Sequence, residues 1–469
     1  METPTAVASG SSTAVPRLRR TLTLWDLIFY GIVLIQPIAP VPLYGVAQKL
    51  SDGHFVTIIV IALFAMLITA VSYGRMGALY PTAGSAYTYV GKGLNPHLGF
   101  LAGWAMILDY LLQPLINTVW ISTALHERAA ALHIPELPFV FWAAVIAAIM
   151  TVLNLAGVKS SSRANKALLT VMSFVVVWFI WQAVRYLYVG QGWGGLFSTL
   201  PFYDPKTFDP HKILTATSFA ALTYIGFDGV TTLAEDVENP KRNVLLAVVL
   251  TCIFAGVCSG VEAYLGSRVW PDWRSFPNLE TAFMDICRRV GGYALFGAMF
   301  VIIGVAAFGS GLTGTLGASR LLFGMGRDGV LPRKFFGHLK PGSSTPTFNI
   351  LLIGGLAFVG AVLLNYVGSA YQHAGELLNF GAFLAFMGVN FATFWQFTVI
   401  AKRNGSEHRF LRDGLLPLFG FAFCGLIWWN LNNLAKAVGG IWFAVGILYV
   451  GYKTNWFRSA PVMIDFRDS

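Results

Sequence analysis

The stretch LDYLLQPLINT places Asp109, Gln113 and Asn117 at every fourth position. On a helix they form one polar stripe, rising about 6 Å per step. A carboxylate in line with two amide groups suits a small cation or a proton. It would equally serve as a hydrogen-bond ladder between packed helices. A second group is crowded into ALTYIGFDGVTT, where Thr223, Tyr224, Gly226, Phe227 and Asp228 are expected to touch a substrate. Aromatic faces attract ammonium groups, so Tyr224 and Phe227 could gate a bound amine. Aromatics are 14% of the chain, however, and packing explains them as readily. Asp228 reads as a proton acceptor, as the counter-ion of an amine, or as a structural carboxylate capped by backbone amides. Gln36 and Pro37 form a third candidate set. Ser310 and Thr313 in FGSGLTGT offer hydroxyls to an ion, or simply let helices pack closely. Glu262 is a further acidic residue within an apolar run and has no motif around it.

These groups must be positioned by membrane helices. The chain is 56% hydrophobic and 12% charged, roughly half the charged fraction of a soluble protein. Its mean hydropathy is +0.63. A span needs about 20 apolar residues, and runs of that kind fall near 25–48, 55–79, 97–125, 138–157, 167–189, 213–235, 244–270, 290–324, 347–366, 376–401, 414–434 and 439–455. The eighth is long enough to begin outside the bilayer. Residues 1–20 read as a disordered cytoplasmic tail, 21–457 as one membrane domain and 458–469 as a cytoplasmic C-terminal tail. The first apolar run is too long for a signal peptide, whose apolar core is about 7–15 residues.

The net charge of +10 would suggest nucleic acid in a soluble protein. Here the positive charges flank apolar runs, so orientation explains them better. An inside N-terminus puts most Lys and Arg on the cytoplasmic side, including Lys159, Arg163, Lys166, Arg327, Lys340 and Lys402. Glu235, Asp236 and Glu238 fall at the cytoplasmic end of the sixth run. The four cysteines are scattered and form neither a disulfide framework nor a metal site. No HExxH or comparable catalytic set is present, which argues against an enzyme, and no cofactor is expected.

Two of the spans are interrupted. Pro37, Pro40 and Pro42 remove helix hydrogen bonds near the middle of the first. Gly226 and Gly229 weaken the sixth by about 1 kcal/mol each relative to Ala. Unwound backbone in lipid would strand polar groups, so it must line a cavity or be buried in protein. The first and sixth spans hold matching positions in two successive sets of five. Paired broken helices of this kind point to a transporter's binding site. They suit alternating access better than the continuous pore of a channel.

Three motifs then resemble one family. YPTAGSAYTYVGKGLNPHLGFLAGW (80–104), YIGFDGVTTLAEDVENPKRN (224–243) and ASRLLFGMGRDGVLP (318–332) are similar to the signature stretches of the amino acid–polyamine–organocation permeases. SDGH, LNPHLGFLAGWAMILDYLLQPLIN and GFDGVTTL look most like bacterial putrescine importers. The resemblance implies an all-α, leucine-transporter-like fold with 12 transmembrane helices. Two inverted five-helix repeats, about 25–189 and 213–401, would be followed by two extra helices at about 414–455.

It also implies import of a small amine across a bacterial-type inner membrane, best guessed as a polyamine such as putrescine. The alternatives are an amino acid permease or exchanger and, more remotely, a nutrient sensor on a transporter fold. Proton coupling through Asp109 and Asp228 is expected. The competing expectation is sodium coupling, using carbonyls of the first helix with Ser310 and Thr313. Two features depart from the family. Leu34-Ile35-Gln36-Pro37-Ile38 stands where amino acid permeases carry a Gly-Ser-Gly-like run. Met172 stands where some proton-coupled relatives carry a lysine.

Overall fold

The computed structural model describes residues 22–459 and Pro461, apart from 82–84, 133, 157–161, 235–236, 328, 330, 340–344 and 404–408. Lys159, Glu235, Asp236, Lys340 and most of the two terminal tails lie outside the described residues. Among those described, regular structure is helical except for one isolated bridge between Leu22 and Val237.

The chain begins with α1 (Leu24–Ile35), whose N-terminus is closed by a reciprocal cap. Thr23 accepts from the Asp26 amide at 3.3 Å, and Asp26 accepts from the Thr23 amide at 3.0 Å. After an unwound stretch come α2 (Tyr44–Leu50), α3 (Phe55–Leu79), α4 (Ser85–Gly93), α5 (Pro96–Glu127), α6 (Phe139–Leu155) and α7 (Ser162–Gln191). The second half holds α8 (Pro210–Ala220), α9 (Pro240–Val269), α10 (Ala282–Arg327), α11 (Thr347–Val367) and α12 (Ala370–Phe394). The last two are α13 (Leu416–Trp429) and α14 (Asn433–Lys453).

Ten of the described helical segments are long and apolar enough to cross a membrane. The expected first and fourth spans are shorter, with 12 residues in α1 and 17 in α6. In the first, the break at Gln36 divides the run. The eighth expected span is overtaken by a 46-residue α10, bent at Gly292, whose φ is +66°. Its first part, from Ala282, lies before the apolar run expected to begin at 290.

α5 sits at the centre and touches α4, α6, α10, α11, α12 and α14. The polar stripe of α5 is therefore enclosed by protein, where its side chains can find partners. α14 is fastened to α5 by stacked Trp104 and Trp442, with ring centroids 4.7 Å apart. Each indole donates to the other's backbone carbonyl, at 2.9 and 3.0 Å.

At the end of α3, buried Arg75 pairs with Asp413 at 2.5 Å, donates to the Arg412 carbonyl at 3.0 Å and lies over the Phe397 ring. Two π-helical turns, Trp395–Ile400 and Phe410–Leu415, meet here. The Thr398 hydroxyl donates to the Asp413 carbonyl across them at 2.7 Å. The widened turns bring side chain and carbonyl of one short segment onto a single guanidinium.

Candidate functional site

Both predicted breaks are present, and they touch. α1 ends where Gln36 adopts φ +67°, its amide still bonded to the Ile32 carbonyl at 2.9 Å. The chain then runs through tight turns, with Ala39, Val41 and Leu43 amides donating to carbonyls three residues back. Three prolines, Pro37, Pro40 and Pro42, supply no amide to this stretch, and an α-helix resumes only at Tyr44. The sixth span leaves α-geometry at Ala221, narrows to a 3-10 turn over Ala221–Tyr224, extends at Ile225 and reverses at Gly226 with φ +114°. A second 3-10 segment, Phe227–Leu233, follows. A Cβ added at Gly226 would lie 3.5 Å from the Leu34 carbonyl oxygen, and one at Gly229 only 2.7 Å from Leu34 Cδ1.

Beside the junction lies a cavity with about 90 Å³ of room for water-sized molecules. The polar side chains in its wall are Gln36, Gln113, Asn117, Ser310, Trp120 and Tyr371; none of its lining residues is charged. Gln113 donates to Ser310 Oγ at 2.9 Å, and Asn117 donates to the Gln113 carbonyl at 2.7 Å and to Ser310 Oγ at 3.4 Å. Gln36 donates to the Ala306 carbonyl at 3.2 Å. Each amide nitrogen thus bonds to the protein at least once, and Asn117 uses both of its N–H donors this way. The three side-chain amide oxygens, on Gln36, Gln113 and Asn117, accept no hydrogen bond from described residues and are available to a donor in the cavity.

Four of the predicted residues, Gln36, Gln113, Asn117 and Ser310, are therefore brought together. Others are placed elsewhere. Tyr224 is fully buried and donates to the Ile59 carbonyl at 2.8 Å. Phe227 packs against Tyr73 and Phe386, with centroids 5.5 and 5.2 Å away. Thr223 and Pro37 are buried outside the cavity lining. Thr313 is exposed, and its hydroxyl bonds back to the Gly309 carbonyl at 2.9 Å.

Asp109 and Asp228 are buried and electrostatically coupled, also outside the cavity wall. The Asp228 carboxyl takes bonds from the backbone of Asp228, Gly226 and Gly229, at the start of the second 3-10 segment. Glu262 is fully buried with both oxygens unpartnered among the described residues.

Two of the polar cavity residues went unread in the sequence. Trp120 stands three positions beyond Asn117 on the same face of α5, so the stripe could have been extended to it. Tyr371 carried no such signal. Its amide is 3.5 Å from Glu280, in the link before α10. Burial pushes the Glu280 carboxyl above its usual range and nearby Glu127 adds to this, while bonds from the Tyr371 backbone and the Thr123 hydroxyl pull it back.

A helical membrane bundle in which two interrupted helices meet beside a small polar cavity defines a solute transporter of the leucine-transporter-like class. A manganese transporter from Eremococcus coleocola has this fold, with a TM-score of 0.54 over 95% of this chain and 96% of that one, at 12% identity. The amino acid permease family matches residues 22–453, and the chain belongs to it. It is 32% identical over 450 residues to the low-affinity putrescine importer PlaP of Escherichia coli (strain K12), covering 96% of each chain. It is 25% identical over 469 residues to the branched-chain amino acid permease BcaP of Lactococcus lactis subsp. cremoris, covering 92% of this chain and 94% of that one. The family and these relatives are membrane permeases, not enzymes.

Proposed function

We propose that this permease imports a small amine, a polyamine such as putrescine, by proton-coupled alternating access at the inner membrane, with both termini cytoplasmic. The observation that carries the reading is the donor and acceptor balance at the two breaks. An α-amino acid's carboxylate in this fold would sit on free N–H groups opening a half-helix. In the sixth span those backbone groups already serve Asp228. In the first, Pro37 and Pro40 have none to give. The cavity instead offers amide oxygens and no cation. That arrangement suits an ammonium group and leaves a carboxylate poorly served.

The 32% identity to a putrescine importer supports the same substrate class. An amino acid permease is the alternative, and the likeness to a branched-chain permease supports it. Competition for one uptake site decides between them: putrescine displaces labelled substrate, whereas tight binding of a neutral amino acid that diamines do not disturb overturns the polyamine reading.

Asp109 and Asp228 are the groups proposed to exchange a proton. A charge at mid-membrane costs at least about 2.5 kcal/mol, so a carboxyl there favours whatever neutralises it. A cationic substrate and a proton compete for one carboxyl, which favours exchange. Symport requires the two carboxyls to divide the roles, one pairing with the amine and one keeping its proton. Sodium coupling through first-helix carbonyls and Ser310 is the competitor, because buried Met172 puts no lysine charge in that region. In proteoliposomes, a pH gradient without sodium is expected to drive accumulation. At least one of Asp109→Asn and Asp228→Asn should still exchange substrate while ignoring pH. Uptake that requires sodium and ignores the pH gradient overturns the proton reading.

A further inference from the structure

We propose that Asp109, with Asp228 and the Tyr73 hydroxyl, forms a second ammonium subsite that holds the far end of a diamine whose near end lies in the cavity. This rests on the amine reading above and adds how the site measures its substrate.

The first observation is an absence of internal partners. Asp109 is 9% exposed, and its carboxyl forms no hydrogen bond among the described residues. Tyr73 is fully buried, with a hydroxyl that has no partner there either. The titratable groups acting on Tyr73 are Asp228, Tyr89, Tyr110 and Asp109; those acting on Tyr110 are Asp228, Asp109 and Tyr30. All are acids or phenols, and no lysine, arginine or histidine of the described residues is among them. Two buried carboxyls with no cation beside them among the described residues call for one from outside.

The second observation is the character of the walls. Tyr73 meets Tyr89, Phe227 and Phe386 edge-on, with centroids 5.9, 5.5 and 5.6 Å away. These rings wall the Tyr73 side of the proposed subsite, and aromatic walls attract organic ammonium groups.

The third is spacing. Asp109 lies one turn before Gln113 on the same face of α5, and Gln113 is pinned to Ser310 in the cavity. That step is about 6 Å, the reach of a four-carbon chain between two amines. The roles also separate. Asp228 is already bonded by its own turn, whereas Asp109 is free to pair with the ammonium. The neutral oxygens of the cavity hold the near end, and Asp109 holds the far end.

The test is binding to the purified full-length protein in nanodiscs, by calorimetry, with diamines of three to six carbons, butylamine and sodium chloride as probes. Wild type is expected to bind the four-carbon diamine at least about tenfold more tightly than butylamine, with affinity falling on either side of that length. In Asp109→Asn the diamine-to-monoamine ratio falls to about one; in Tyr73→Phe it falls part of the way. Butylamine binding by each variant reports that it is folded. Equal affinity for diamine and butylamine in wild type, an unchanged ratio in Asp109→Asn, or displacement of the diamine's second contact by sodium alone overturns the subsite and leaves amine transport standing. Failure of every amine to bind, beside a response to a neutral amino acid, removes the amine reading and the subsite with it.

Discussion

Ser310 is the residue on which two helices depend, since it accepts hydrogen bonds from both Gln113 and Asn117. Replacing it with Ala leaves those amides to turn into the cavity. A hydrogen bond is worth about 1 kcal/mol net, so Ser310→Ala is expected to raise the KM for amine uptake about five- to tenfold with little change in folding stability. Uptake kinetics in proteoliposomes measure this. Glu280 carries a different prediction. Burial raises its carboxyl above the unfolded value, so the folded state binds the proton more tightly. Stability from this group is fully present below the unfolded value, near pH 4.5, and declines as pH rises through the folded one. Glu280→Gln should therefore raise thermal stability at pH 8 and flatten its fall between pH 5 and 8, followed by thermal unfolding in detergent. The polar spacing of α5 was legible in the sequence because a period of four survives any packing. The direction of Tyr224 was not. An aromatic beside a break reads as a gate, and only the Ile59 carbonyl across the helix interface shows that its hydroxyl is already engaged.

Among the elements, the two breaks were the most readable feature, because proline and glycine act on the backbone wherever they fall. The form of the second break was less so. Residues 221–233 form two 3-10 segments separated by extended Ile225 and left-handed Gly226, which nothing in an apolar run announces. The π-helical turns at 395–400 and 410–415 were also unseen, since they arise from how α12 and α13 approach Arg75. That contact is testable. The Arg75 and Asp413 side chains are 5% and 11% exposed, and removing one partner of a buried pair costs about 3–5 kcal/mol. Arg75→Ala should lower the thermal midpoint strongly, and Arg75→Met with Asp413→Leu should recover most of the loss. A double variant no better than the single one would show that the pair's geometry, not its charge, holds these helices.

At the scale of the whole molecule, alternation of apolar runs with basic links gave the membrane bundle and its expected orientation. The count of spans was harder, because a broken helix and a 17-residue helix fall short of the usual length. The proposed cytoplasmic placement of both ends predicts that a C-terminal fluorescent fusion is bright in cells while a C-terminal alkaline phosphatase fusion is inactive; the opposite pattern would reverse the bundle. The contact between Leu34 and the Gly226–Gly229 turn joins the two halves of this molecule at their weakest points. A side chain at position 229 has to push the end of Leu34 aside, which a smaller residue 34 eases and a bulkier or stiffer one resists. Homologous chains should thus drift at these two sites in step, as paired rather than independent substitutions, with the glycine at 226 held apart from that exchange by its own backbone angle.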